Sequence, residues 1–349
     1  MALLGMAQGG ASCSTTSCFA TLAPLAPFAL KKASHPPQSP RARHYSYMPK
    51  FLLDRMPRLD GQVAIVTGAN SGVGYYTALG LVERGAHVVM ACRNLDKAAS
   101  AKTQIATEVA GAQLEVMEID TASQASVRGF AEAYQQRHER LDLLVNNAGI
   151  MATPQAYTED GFEGQLATNY LGHFALTGLL LPQIEASPAA RVVTLSSIAH
   201  KNARIHFEDL HFRRRYAPWE AYGQTKLACL VFAYELERRL RAERSDAISV
   251  AAHPGVSNTN LGNHLPAYFK ALQVVFKVLG HSPEQAAEPS LMAATHPGVK
   301  GGDYLGPTGF REMSGDPWMV AGTSASRDPE IGERLWSVSE AETGVRYLS

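Results

Sequence analysis

The chain has 349 residues, of which 46% are hydrophobic and 18% charged, an ordinary globular composition with enough apolar residues for a sizeable core. Lys plus Arg and Asp plus Glu both number 32, so no net charge favours binding to nucleic acid or to an acidic membrane. The pattern of the four cysteines is not that of a disulfide framework, and no stretch reaches the roughly 20 apolar residues of a membrane-spanning helix.

The first 55 residues differ in composition from the rest. Residues 1–53 contain five Lys/Arg and no Asp or Glu, are rich in Ala, Ser, Thr and Pro, and lack a core-forming period. This is typical of an organellar transit peptide, and a chloroplast is favoured over a mitochondrion because Ser, Thr and Ala outweigh Arg. A disordered tail on a cytoplasmic or membrane-associated protein is the alternative. Residues 56–349 are predicted to form a single domain, since no linker interrupts residues 61–310.

From Gly61 onward, apolar strands alternate with helical patterns. Such alternation implies right-handed crossovers and a parallel sheet covered on both faces, so the predicted fold is α/β, a doubly wound sheet of the Rossmann type. Strands are predicted at residues 62–67, 86–91, 113–119, 141–145, 191–195, 247–252 and 303–305. Helices are predicted at residues 73–84, 95–109, 123–138, 160–185 and 218–236, after 282, and from 328 toward 339.

The first strand leads through a glycine-rich turn into the first helix. Glycines spaced Gly-x-x-x-Gly-x-Gly at this junction can place backbone N–H groups and a helix N-terminus at a dinucleotide pyrophosphate. A turn that binds no cofactor is the alternative. The predicted contacts are Gly68, Asn70, Ser71, Gly72, Val73 and Gly74.

The ends of the next three strands indicate which dinucleotide would bind. The second strand ends in Ala-Cys-Arg93 with no acid for a ribose 2′-hydroxyl, and a guanidinium can pair with a 2′-phosphate, so NADP(H) is predicted. A solvated loop arginine is the alternative. Asp120 could accept a hydrogen bond from adenine or serve as a helix N-cap. The fourth strand ends in small polar residues at the expected crevice, Asn147, Ala148 and Gly149.

A tyrosine and a lysine lie one helical turn apart in the long helix that follows the fifth strand. The ammonium of Lys226 would stabilise a phenolate at Tyr222, which suits the phenol for proton transfer. Ser196 and Ser197 close the preceding strand, where a hydroxyl could bind a substrate carbonyl oxygen. Asn169, an amide in an apolar helix, could kink the helix and hold a water or bond neighbouring backbone.

These motifs occur in the order seen in short-chain dehydrogenases/reductases, and the chain resembles that family over residues 60–345. The resemblance rests on Thr67-Gly-x-x-x-Gly-x-Gly, Asn146-Asn-Ala-Gly, Asn169, Ser197, Tyr222-x-x-x-Lys226 and His253-Pro-Gly255. It implies that Tyr222 exchanges the proton, that Lys226 assists it and binds the ribose, that Ser197 rather than Ser196 positions the carbonyl, and that Asn169 holds a relay water. It also places four residues after the sixth strand at the cofactor: Pro254, Gly255, Val256 and Thr259.

The separation of 25 positions from Ser197 to Tyr222 and the motif Ala91-Cys-Arg-Asn resemble the retinol dehydrogenase and WW-domain oxidoreductase branch. In this family an apolar segment like residues 265–279 closes over the substrate; core packing and a membrane-interface surface are its alternatives. His200, His206 and His211 are interpreted as solvated loop residues rather than metal ligands.

The sequence therefore predicts an NADP(H)-dependent oxidoreductase that transfers hydride between the nicotinamide and the carbonyl or alcohol carbon of a lipophilic substrate, retinal-like or steroid-like. A protochlorophyllide-reductase-like enzyme is one alternative. Those enzymes typically carry a cysteine and a second alanine around Asn146–Gly149, which this chain lacks. A nucleotide-binding, redox-sensing regulatory protein is the other, and the presence of all four catalytic positions argues against it.

Overall fold

The structure is a computed structural model that describes residues 56–256 and 282–348. The predicted leader, the apolar segment at residues 265–279 and Thr259 lie outside the described residues, so these remain predictions.

Eight strands form one sheet in the order β3-β2-β1-β4-β5-β6-β7-β8. The first seven are parallel, and β8 pairs antiparallel with β7. This confirms the predicted Rossmann-type sheet. The strands are β1 Val63–Thr67, β2 His87–Cys92, β3 Leu114–Glu118, β4 Leu143–Asn146, β5 Arg191–Leu195, β6 Ile248–Ala252, β7 Tyr304–Pro307 and β8 Pro317–Met319.

Several helices begin next to a residue whose side chain caps them. Asn94, Ser123 and Asp328 each cap a helix with a side-chain oxygen, and Ser282 forms a capping box with Gln285. The helices are α1 Gly72–Glu83, α2 Leu95–Glu108, α3 Gln124–Gln135, α4 Gly164–Leu166, α5 Gly172–Leu179, α6 Leu181–Glu185, α7 Pro218–Ala242, α8 Pro283–Thr295 and α9 Pro329–Thr343.

Two apolar cores lie on opposite faces of the sheet. One includes residues of α1, α2 and α8, and the other includes residues of α3, α5, α7 and α9. The second core contains an aromatic group in which Trp336 stacks on Phe232 and meets Phe174 edge-on. Because both faces are covered, the edge formed by the carboxyl ends of the strands is left for a ligand.

Two differences from the predicted elements concern the segment before β5 and the sheet edge. The helix predicted at residues 160–185 begins at Gly164, because the buried carboxylate of Glu163 caps it. It then passes through a π-helical segment, Ala167–Leu171. Strand β8 was not predicted, since its three residues carry no periodicity. Within residues 56–256 and 282–348, no helix combines the length and apolarity that crossing a bilayer requires.

Candidate active site

A crevice of about 410 Å³ opens at the carboxyl edge of the sheet, a size ordinary for a small-molecule site. The predicted residues that line it are Gly68, Asn70, Ser71, Gly72, Val73, Gly74, Arg93, Asp120, Asn147, Ala148, Gly149, Tyr222, Lys226 and Pro254. Sequence reasoning missed other lining residues, most of which adjoin the motif positions: Ala91, Ile119, Thr121, Ile150, Met151, Thr153, Thr168 and Leu195. Adjacency to a strand end could have found Ala91, Ile119 and Leu195, whereas Thr168 adjoins Asn169 in a helical segment.

The glycine-rich turn has the geometry of a phosphate cradle. Ser71 is the N-cap of α1 but makes no side-chain capping bond, so the first N–H groups of the helix remain available to a ligand. A Cβ at Gly74 would collide with the carbonyl oxygen of Gly68, so only glycine permits this close approach. These features fit a dinucleotide pyrophosphate.

A buried threonine joins this turn to the one after β4. The Thr67 hydroxyl accepts hydrogen bonds from the backbone N–H groups of Asn147 and Ala148, both at 2.9 Å. The Asn147 amide donates to the Thr67 carbonyl at 2.7 Å. Two walls of the crevice are therefore fixed to each other by one residue.

The Thr67 hydroxyl donates a hydrogen bond to His173, a residue that sequence reasoning did not identify. His173 Nδ1 lies 3.0 Å from the Asn169 carbonyl, which can only accept, so Nδ1 carries the ring proton. Nε2, at 2.9 Å from Thr67 Oγ1, is then the acceptor. Complete burial, aided by the positive charge of Lys226, lowers the pKa of His173 to about 4, so the ring is neutral at physiological pH.

Arg93 and Asp120 lie together where β2 and β3 end. The Arg93 guanidinium is 70% exposed, and its Nη1 lies 3.6 Å from Asp120 Oδ2, too loose a contact to hold it in place. Asp120 accepts a bond from Ala122 N at 3.0 Å, but Ser123, not Asp120, is the N-cap of α3. The N-cap alternative for Asp120 is therefore wrong.

Tyr222 and Lys226 lie on the same side of α7, and both are nearly buried, with 7% and 6% of their surfaces exposed. Lys226 Nζ lies 6.0 Å from the centre of the Tyr222 ring and donates to the Leu195 carbonyl at 3.0 Å. That bond holds the ammonium between α7 and the end of β5. An ammonium has three donors, so this contact leaves N–H groups for a ligand in the crevice.

The two serines after β5 have different hydrogen-bonding roles. Ser196 lines the crevice, but its hydroxyl proton is engaged in a hydrogen bond to the Lys226 carbonyl at 2.7 Å. Ser197 is not among the residues that line the crevice. Its hydroxyl oxygen accepts from Ala199 N at 3.2 Å and caps the 3₁₀ segment Ile198–Asn202. Ser197 thus keeps its own proton to donate, which favours it as the carbonyl-binding serine.

Asn169 lies in the π-helical segment, where it interrupts the regular helix as a kink would. Its amide oxygen accepts from Ile150 N at 2.8 Å, and its amide nitrogen donates to Ile150 O at 2.9 Å and Thr225 Oγ1 at 3.0 Å. Of the two alternatives for the Asn169 amide, the structure shows the hydrogen bonds to backbone. The bonded backbone is that of Ile150, 19 residues away, and not that of neighbouring residues. The side chain holds the loop after Gly149 and does not itself line the crevice.

Two other predicted cofactor residues lie beyond the crevice. Gly255 and Val256 follow Pro254 but do not line it, and Val256 N donates to Met313 O at 2.9 Å. This turn is therefore attached to the connection between β7 and β8.

The interpretation of the loop histidines as solvated is wrong for His200 and His211, which are buried, whereas His206 is partly exposed. His200 is fully buried, with Nδ1 2.6 Å from the Ser197 carbonyl. His206 Nε2 lies 3.0 Å from Glu220, and His211 Nδ1 accepts from Glu163 N at 3.1 Å. Each ring has a structural partner, so these histidines fix the long insertion before α7.

Comparison with known proteins agrees with this geometry. Residues 62–267 match the family described as short chain dehydrogenase. Retinol dehydrogenase 13 of Homo sapiens is 39% identical over 299 residues, 83% of this chain and 87% of the relative. Polyprenol dehydrogenase of Homo sapiens is 37% identical over 305 residues, covering 84% and 89%.

Solved structures share the fold as well. A crystal structure of an uncharacterized protein from Mycobacterium Paratuberculosis has a TM-score of 0.72 and 39% identity, covering 86% of this chain and 99% of the other. The Pseudomonas aeruginosa RhlG/NADP active-site complex has a TM-score of 0.57 and 26% identity, covering 71% and 94%.

Proposed function

The chain belongs to the short-chain dehydrogenase family of oxidoreductases, in its retinol dehydrogenase-like branch, and we propose that it uses NADP(H) to interconvert a lipophilic carbonyl compound and its alcohol. One observation carries this proposal. The glycine-rich turn, Arg93 and the Tyr222–Lys226 pair line the same crevice, so a single extended ligand can contact all of them.

The residues divide the chemistry between them. The nicotinamide, when bound, supplies or accepts the hydride. Tyr222 donates a proton to the substrate oxygen during reduction and takes it back during oxidation. The Lys226 ammonium stabilises the phenolate that remains, and its attachment to Leu195 holds it in place. The Ser197 hydroxyl donates to the same substrate oxygen and stabilises the charge that develops there.

The preference for NADP(H) is supported by the end of β2. Arg93 is exposed at the rim, and β2 carries no acid there to bind a ribose 2′-hydroxyl. A 2′-phosphate beside Arg93 would gain a charge-assisted bond. The RhlG relative is described as a complex with NADP, which agrees with this assignment.

The cofactor proposal is tested by steady-state kinetics with NADPH and NADH. We expect the wild type to prefer NADPH and Arg93→Ala to lose about tenfold or more of that preference, the usual value of a hydrogen bond to a charged group. Arg137→Ala, which removes an exposed arginine paired with Glu115, is the matched control and should keep the preference. A wild type that prefers NADH would contradict the assignment.

The lipophilic substrate is supported by the relatives, which are named for retinol and polyprenol. We expect kcat/KM for retinal or a long polyprenal to exceed that for butanal by about tenfold or more, because each buried CH₂ is worth about 0.8 kcal/mol. Equal kcat/KM values for short and long aldehydes would reject a lipophilic site. Contact of residues 265–279 with a membrane interface is part of the same proposal, and flotation with lipid vesicles tests it.

The location proposed is an organelle, with a chloroplast favoured over a mitochondrion, on the composition of residues 1–53. Residues 1–55 fused to a fluorescent protein should be imported by chloroplasts. Retention of the fusion in the cytosol would contradict the proposal.

A further inference from the structure

Three charged or titratable side chains form a cluster behind the crevice. Glu312, in the connection between β7 and β8, places Oε1 2.7 Å from Lys201 Nζ and Oε2 3.3 Å from His253 Nε2. His253 is fully buried and directly precedes Pro254, which lines the crevice. None of these contacts is used by the chemistry described above.

The protonation state of His253 follows from its neighbours. Gly255 N donates to His253 Nδ1 at 3.2 Å, so Nδ1 carries no proton and the ring proton is on Nε2. Nε2 lies 3.3 Å from Glu312 Oε2 without the alignment of a hydrogen bond, so the interaction between them is electrostatic. Burial lowers the pKa of His253, which agrees with a neutral ring. Burial alone would raise the pKa of Glu312, but its contacts with His253 and Lys201 outweigh burial and lower that pKa to about 2. The cluster is therefore a carboxylate between an ammonium and a neutral imidazole N–H.

The backbone that presents this carboxylate is strained. Arg311 and Glu312 have φ of 51° and 58°, a left-handed region that costs a non-glycine residue about 1 kcal/mol or more. Such strain persists only where surrounding contacts over-determine the conformation. Here Met313 O accepts from Val256 N at 2.9 Å, and Gly309 N donates to Ser314 O at 2.8 Å. The strained pair is thus fixed against the turn that follows β6.

Glu312 joins segments from two sides of the proposed site. Lys201 belongs to the 3₁₀ segment that Ser197 caps, and His253 belongs to the turn that carries Pro254. We propose that Glu312 is a positioning residue whose carboxylate holds the Ser197 segment and the Pro254 turn in register, so that the substrate oxygen and the nicotinamide meet correctly. This inference rests on the proposed oxidoreductase function, and it concerns residues that do not touch substrate.

Glu312→Gln tests it, because the variant keeps the size of the side chain and removes its charge. At saturating NADPH we expect turnover of the best aldehyde to fall about 10- to 100-fold, the cost of a small misplacement of reacting groups. The dissociation constant for NADPH alone should change less than about twofold, because the phosphate and ribose contacts lie elsewhere in the crevice. Glu208→Gln, which breaks the exposed pair with Arg334, is the matched control and should retain wild-type turnover.

Two further readouts separate positioning from simple loss of structure. Lys201→Met should cost turnover in the same way, and the double variant should be no worse than Glu312→Gln, as for residues that act as one unit. The ¹⁵N spectrum of His253 should show an Nε2–H tautomer in the wild type, a readout that needs no activity. Unchanged turnover in Glu312→Gln, or a loss matched by equal weakening of NADPH binding, would overturn the inference. A wild type inactive on every carbonyl compound would instead refute the proposed function.

Discussion

The neutral state of His173 predicts that the fold loses stability in mild acid. An unfolded histidine has a pKa near 6.5, whereas burial lowers that of His173 to about 4. Between these values the unfolded chain binds a proton that the folded chain does not, so stability falls as pH falls. The contribution of His173 is fully present above about pH 6.5. Roughly 2 kcal/mol of it is lost at pH 5 and about 3 kcal/mol at pH 4.

The physical reason lies in the hydrogen bonds of the ring. Protonated Nε2 cannot accept from the Thr67 hydroxyl, whose oxygen already accepts from Asn147 N and Ala148 N. Even when the hydroxyl donates instead to the Val145 carbonyl at 3.3 Å, acid leaves the buried Nε2–H without an acceptor. The wall of the crevice formed by the turn after β4 should loosen in the same pH range.

Urea denaturation of the wild type and His173→Gln between pH 7.5 and 4.5 measures this contribution. Gln can accept from Thr67 but does not titrate, so the difference between the two stability curves isolates His173 from the other histidines. We expect the variant to lose less stability on acidification, by roughly 2 kcal/mol at pH 5. His296→Gln, at a partly exposed histidine, is the control and should change the slope much less. Parallel curves for His173→Gln and the wild type would refute the reasoning.

Two substitutions test packing around the site. Gly172→Ala places a Cβ against the Thr121 carbonyl. The free energy of unfolding, measured with heat or urea, should fall by about 1–3 kcal/mol, and an unchanged midpoint would contradict this. Trp336→Ala removes a buried indole that meets Phe174 edge-on and lies under Arg239. The free energy of unfolding should fall by about 3–5 kcal/mol in the same assay, and a loss below about 1 kcal/mol would show that neighbouring side chains collapse into the cavity.

The parts of the fold that periodicity encodes could be predicted from the sequence. Strand β5, at residues 191–195, was predicted with the bounds that the structure shows, and so was the start of a helix after residue 282. The three residues of β8 could not be predicted, because the strand is too short to show an alternating pattern and is recognised only by its pairing with β7. The start of α4 was placed too early, because the buried cap formed by Glu163 has no counterpart in a hydrophobic pattern.

The candidate site likewise has a part that could be predicted from the sequence and a part that could not. Tyr222 and Lys226 could be predicted to lie together because their contact is local to one helix. The partners of Thr67 and Asn169 could not be predicted, since each joins segments far apart in sequence. His200 was misplaced for a related reason, because nothing in the sequence shows that it is buried within the segment that Ser197 caps.

Tyr222 is the residue proposed to transfer the proton at the reacting centre. Turnover of a lipophilic aldehyde with saturating NADPH should fall about 10²–10⁴-fold in Tyr222→Phe, while NADPH binding is retained. Tyr75→Phe, which removes a hydroxyl bonded to Glu108 outside the crevice, should match the wild type. Undiminished turnover in Tyr222→Phe would contradict the account.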